Sequence, residues 1–121
     1  MSLILIVDDS PTEVHVMQKA LESHGYQTAS AGDGAEAIRK AKAMKPDLIF
    51  MDVVMPGVNG FQATRKLASD PDTKEIPVIM VTSKDQETDR IWGMRQGAVD
   101  YLVKPVSMDK LIAKAQAALA D

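Results

Sequence analysis

The sequence predicts a doubly wound α/β domain, a five-stranded parallel sheet in (βα)5 order with helices on both faces. Three observations predict it. Short apolar runs recur five times along the chain, each followed by a longer stretch patterned as a helix. The runs lack strict polar alternation, which suits parallel strands covered on both faces. Strands that alternate with helices of this length imply right-handed crossovers and a single parallel sheet. At 121 residues, 45% hydrophobic and 26% charged, the chain can bury one core without staples. A single domain over residues 1–121 with no output domain is therefore expected.

The first strand is Leu3–Val7. Ser10-Pro11-Thr12-Glu13 then offers an N-cap serine, a proline at the first helical position and a glutamate at the third, the pattern of a capping box. Val14, Met17 and Leu21 form the inward face of this helix, and Gly25 supplies its stop. The second strand, over residues 26–31, is weakly apolar. A second box, Asp33-Gly34-Ala35-Glu36, opens a helix that must end before Pro46, with Ile38 and Ala41 inward. Residues 48–51 form the third strand. The third helix runs from about Gly60 to Ser69, with Phe61, Thr64 and Leu67/Ala68 inward. Residues 78–81 are the fourth strand, and the helix after it covers about 86–96 and stops at Gly97. The fifth strand is 101–103. The last helix starts near Ser107 and buries Met108, Leu111, Ile112, Ala115 and Leu119.

Composition excludes several classes of function. With no cysteine there is neither a disulfide framework nor a thiolate zinc site. A net charge of −3 lacks the basic footprint of a nucleic-acid binder. The longest apolar run, Leu3–Val7, falls far short of the ~20 residues of a membrane span, and no basic segment precedes it as in a signal peptide. The expected location is the cytoplasm, with no membrane insertion.

The strand ends carry the chemistry. The first apolar run ends in Asp8-Asp9, the third in Asp52, the fourth in Thr82-Ser83 and the fifth in Lys104. A doubly wound sheet binds ligands beyond the carboxyl ends of its strands, so these residues should meet at one edge. Three adjacent carboxylates repel one another unless a hard cation such as Mg2+ joins them. A carboxylate facing a phosphate can act as nucleophile, while a lysine and a hydroxyl hold the phosphoryl oxygens. The set reads as Mg2+-assisted phosphoryl transfer onto the protein. Each residue alone has a plainer role as turn, cap or loop; the joint occurrence at four strand ends outweighs that.

These residues resemble response-regulator receiver domains, the fold of the chemotaxis protein CheY. The resemblance spans essentially the whole chain. It rests on Asp8-Asp9, Asp52-x-x-Met55-Pro56-x-x-x-Gly60, Thr82, Tyr101 and Lys104-Pro105. It implies the flavodoxin-like strand order 2-1-3-4-5 and Asp52 as phosphoacceptor. Asp8, Asp9, Asp52 and the backbone carbonyl of Val54 would hold Mg2+. It implies that Lys104 contacts the phosphoryl group, that Thr82 and Tyr101 act as the switch pair, and that the Lys104–Pro105 bond is cis. The implied partners are a histidine kinase as donor and a downstream protein on the face of the fourth helix, fifth strand and fifth helix. A monomer is expected. Residues 84–101 and 55–65 are similar to stand-alone receivers of twitching-motility pathways, the PilG/PilH type serving chemotaxis-like systems that drive type IV pili.

Two positions depart from fast-cycling receivers. Val54 is apolar and Lys84 is basic, so neither offers a carboxylate or amide to orient attacking water. A long-lived phosphoryl group is expected. Val54 also argues against an aspartyl-phosphate phosphatase, which needs a second carboxylate there. The Asp-Asp-Ser-Pro turn argues against a nucleotide- or flavin-binding domain, which wants glycines. A degenerate receiver acting as a constitutive binding module is the remaining alternative. His15 and His24, nine apart, lack the spacing of a helical metal pair and should lie on the surface. Met17, Met51, Met80 and Met108 fall on inward positions. On the fourth helix Ile91, Met94/Arg95 and Ala98 are expected inward, with Trp92 half-buried at the margin or serving as a partner anchor. Lys84, Asp85, Glu87, Asp89 and Arg90 read as a solvated face.

Overall fold

A computed structural model describes residues 2–83 and 87–120. In chain order the elements are β1 (Leu3–Val7), α1 (Pro11–Glu22), β2 (Gln27–Ala31), α2 (Gly34–Met44), β3 (Leu48–Asp52) and α3 (Gly60–Ser69). They continue with β4 (Val78–Thr82), α4 (Glu87–Arg95), β5 (Asp100–Val103) and α5 (Met108–Leu119). All strand pairs are parallel, in the order β2-β1-β3-β4-β5. The order reverses between β1 and β3, and that is where their carboxyl ends leave a crevice.

The core has two layers because successive strand residues point to opposite faces. On one face Ile4, Ile6, Phe50, Ile79 and Val81 meet Val14, Met17 and Leu21 of α1 and Leu111, Ile112 and Ala115 of α5. On the other, Leu5, Val7, Ile49, Met51 and Met80 meet Ala37 and Ala41 of α2, Ala63 and Leu67 of α3, and Ala98. Each large apolar side chain buried this way stabilises the fold by roughly 1.5–3 kcal/mol. Thr64 lies in the second layer, and its hydroxyl donates to the Met80 sulfur at 3.2 Å.

Local signals set the helix ends. Ser10 and Asp33 cap α1 and α2 by accepting from the backbone N–H of Glu13 and Glu36. Neither expected capping box closes. The Ser10 N–H donates to Asp8 Oδ1 instead, and the Glu36 carboxylate takes the N–H of Gly32. Among the described residues the one complete box is Asn59 with Gln62 at the start of α3, which the serine and aspartate patterns did not flag. The stops fall as expected: α1 ends at Glu22 ahead of Gly25, and α2 ends two residues before Pro46. Gly97 follows α4 with φ +114, a left-handed turn that suits glycine.

The inward faces of two helices need correction. On α3 the pair with Leu67 is Ala63, while Ala68 is exposed. On α4 the expected face is only partly right: Ala98, just past the helix, is buried as expected, but Ile91, Met94 and Arg95 are exposed, and among the described residues of the helix Gly93 is the one buried against the sheet. Trp92 is 49% exposed, half-buried at the margin as expected. The physical reason is visible at Gly93, where a Cβ would stand 3.1 Å from the Met80 side chain. The helix approaches β4 through its smallest residue, and its large apolar groups turn outward. His15 and His24 are exposed, as expected. Of the inward methionines, Met17, Met51 and Met80 are buried and Met108 is partly so. Lys84, Asp85 and Gln86 lie outside the described residues.

Candidate functional site

The crevice is assembled from strand ends. Asp8 follows β1, Asp52 is the last residue of β3, Thr82 the last of β4, and Lys104 follows β5. Asp8, Asp52 and Thr82 are all buried, whereas Asp9 is exposed at the mouth. Carboxylate oxygens of Asp8, Asp9 and Asp52 lie within 4.8 Å of one another. The convergence expected of these three carboxylates is therefore present.

Backbone geometry fixes each group. The Asp8 N–H donates to the Ala31 carbonyl of β2 at 3.0 Å, and Asp8 Oδ1 accepts from Ser10 N at 2.9 Å. Asp52 Oδ1 accepts from the Val53 N–H at 2.9 Å, so one of its oxygens is anchored. Gly60 brings the start of α3 against this turn. Its N–H donates to the Val53 carbonyl at 2.9 Å, and a Cβ there would lie 2.0 Å from the Asp52 carbonyl oxygen. Only glycine fits that approach, which accounts for its place eight residues after Asp52.

Lys104 reaches in from the far side. Its N–H donates to the Thr82 carbonyl at 2.6 Å, tying the end of β5 to the end of β4, and the Lys104–Pro105 bond is cis. The ammonium lies 3.4 Å from Asp52 Oδ1, 3.2 Å from Asp8 Oδ2 and 2.7 Å from Glu13 Oε2. Glu13 was expected only as a capping residue. The signal that it does more was available: Asp8, two residues before Ser10, is placed to take the N–H that Glu13 would otherwise accept.

The charges are strained by burial. Burial raises the Asp8 carboxyl to about 6, with the neighbouring Glu13 and Asp52 carboxylates adding to the effect. Burial also raises Asp52, against the opposing pull of Lys104. For Lys104 burial disfavours the charged form, but Glu13, Asp52 and Asp8 together outweigh it and hold the ammonium above its ordinary range. Lys104 in turn pulls the Glu13 carboxyl down. Buried carboxylates that resist ionising, close together and hard in character, are what a divalent cation with oxygen preference would stabilise. The donor set fits Mg2+.

Tyr101 lies in β5 opposite Met80 and is partly buried, with the guanidinium of Arg90 5.1 Å above its ring. Val54 is 71% exposed at the rim.

A family model for the response regulator receiver domain matches residues 4–116. The chain belongs to that family. It is 55% identical over 120 residues to Protein PilH of Pseudomonas aeruginosa, covering 99% of both chains. It is also 41% identical to the response regulator PleD of Caulobacter vibrioides, of whose length it spans 24%. Among solved structures, the chemotaxis protein CheY4 of Vibrio cholerae superposes with a TM-score of 0.92 at 32% identity, over 98% of this chain and 99% of that one. The receiver domain of the sensor histidine kinase PA1611 of Pseudomonas aeruginosa, which has a magnesium ion coordinated in its active-site cleft, gives a TM-score of 0.91 at 31% identity, over 99% and 98%. A receiver domain is a signalling switch rather than a conventional enzyme. Among the described residues no helix is long and apolar enough to cross a membrane.

Proposed function

We propose that the chain is a phosphorylation switch whose acceptor is Asp52, charged by a histidine kinase with Mg2+ present. The observation that carries this is the meeting of Asp8, Asp9 and Asp52 within 4.8 Å, with the Lys104 ammonium 3.4 Å from Asp52. Asp8, Asp9, Asp52 and the Val54 carbonyl would hold the metal, which when bound neutralises charge on the phosphoryl oxygens.

In the transfer, the free oxygen of Asp52 forms a bond to phosphorus as the bond from phosphorus to the kinase histidine nitrogen breaks. The imidazole leaves with the electron pair and takes its proton from solvent. The Val53 N–H keeps the carboxylate oriented through its other oxygen. Lys104 balances the charge that builds on the phosphoryl oxygens. Thr82, whose backbone is tied to Lys104, supplies a hydroxyl to the modified site. Its movement toward the site makes room for Tyr101 to turn inward. That couples Asp52 to the outer surface of α4, β5 and α5, where a protein partner binds.

The chain acts alone as a cytoplasmic monomer, and its similarity to PilH supports a place in a chemotaxis-like system controlling type IV pilus twitching motility. The exposed, apolar Val54 leaves no polar group at that position to orient water, which supports a long-lived phosphoryl group. Loss of the adduct within seconds would contradict that lifetime.

The test is incubation with acetyl phosphate or phosphoramidate and Mg2+, read by intact mass. A single phosphate adduct that disappears in Asp52→Asn and without metal is expected. A folded protein that takes no adduct would point to a constitutive binding module instead.

A further inference from the structure

Among the described residues, the carboxylate closest to the Lys104 ammonium is not the acceptor but Glu13, at 2.7 Å against 3.4 Å for Asp52. Glu13 lies in the first turn of α1, half-exposed, at one wall of a cleft of about 200 Å3 between α1 and the segment 104–108. Its carboxylate is free for this role because the Ser10 N–H it would have capped is bonded to Asp8. The pairing is thus built by three local facts: the serine cap, the Asp8 turn and the reach of Lys104 across the crevice.

We infer that Glu13 is a positioning residue that holds Lys104 partly off the acceptor and slows phosphorylation of Asp52. The inference rests on the phosphoacceptor reading above. Two effects act in the same direction. The ammonium that should meet an incoming phosphoryl group is shared with a competing carboxylate. That carboxylate also adds negative charge at the mouth through which an anionic donor must come. A phosphoryl group on Asp52 has to draw Lys104 from Glu13, and the ammonium returns to Glu13 when the phosphoryl group is lost.

The experiment follows adduct growth by intact mass at fixed acetyl phosphate and Mg2+, with wild type, Glu13→Gln, Lys104→Met and the double variant. Glu13→Gln keeps the shape and removes the charge. It should label about three- to tenfold faster than wild type, and the gain should shrink as ionic strength rises. In the Lys104→Met background the same substitution should change the rate by less than about twofold. A Glu13→Gln rate equal to or below wild type overturns the inference, as does a full gain without Lys104. Labelling of wild type with no such difference sinks this inference alone, whereas a wild type that takes no adduct sinks the phosphoacceptor reading as well.

Discussion

Helices α4 and α5 flank the same end of the sheet, yet they are held very differently. α5 buries Leu111, Ile112 and Ala115 and packs beside α1. α4 rests on the sheet through Gly93 and leaves Ile91, Trp92 and Met94 about half exposed. The difference teaches that one small domain can hold a closely packed helix and a lightly anchored one side by side. The carboxylates are fixed by the central strands β1 and β3. Among the described residues, the side bearing Thr82, Tyr101 and α4 has fewer apolar anchors and should cost less to rearrange.

The sharpest way to break this comparison is to truncate each helix. Leu111→Ala should lower stability by about 2–5 kcal/mol in urea unfolding, because a fully buried side chain leaves a cavity. Equal losses from Met94→Ala would erase the distinction. Next in size is Gly60→Ala, expected to cost about 1–3 kcal/mol as its methyl collides with the Asp52 carbonyl. It should also slow labelling of Asp52, since relief of the clash displaces the acceptor turn. An unchanged melting curve would contradict the close approach.

A smaller effect sharpens the fixed half. Asp8, raised to about 6, must lose a proton before it can help hold a cation. Mg2+ affinity, measured by calorimetric titration, should be flat above about pH 7 and fall by up to tenfold per unit below about pH 6. The metal-free fold follows the opposite sign with respect to this group. Its protonated form is favoured in the folded state, so the contribution of Asp8 to stability is lost as pH rises from about 4 through about 6. An affinity that does not vary from pH 5 to 8 would count against a buried Asp8 ligand. The smallest expected effect is at Trp92: Trp92→Ala should leave stability within about 0.5 kcal/mol of wild type. Its consequence should appear in partner binding instead.

What was legible in the sequence follows the same division. The strands, the five helices and the convergence of Asp8, Asp9, Asp52 and Lys104 were readable because buried parallel strands write continuous apolar runs and their ends are where polar residues begin. Ile91 and Met94 of α4 were misread because, with the buried Ala98, they have the spacing of a buried face. Nothing in spacing reveals that Gly93 is the residue the sheet requires. The role of Glu13 is only half legible: the Asp8 turn shows that its carboxylate is spare, not what it meets. Its position satisfies a local rule, and only the fold brings in Lys104, 91 residues away, to compete for it.

The central claim is that charge placed on Asp52 in the fixed half is felt in the loosely held half. Hydrogen exchange of the protein with and without the phosphate adduct, both with Mg2+, tests it most directly. The account predicts that the adduct changes exchange in α4 and in the ends of β4 and β5, with β1 and the buried turns of α5 unchanged. No change around α4, or an equal change throughout the domain, would contradict it.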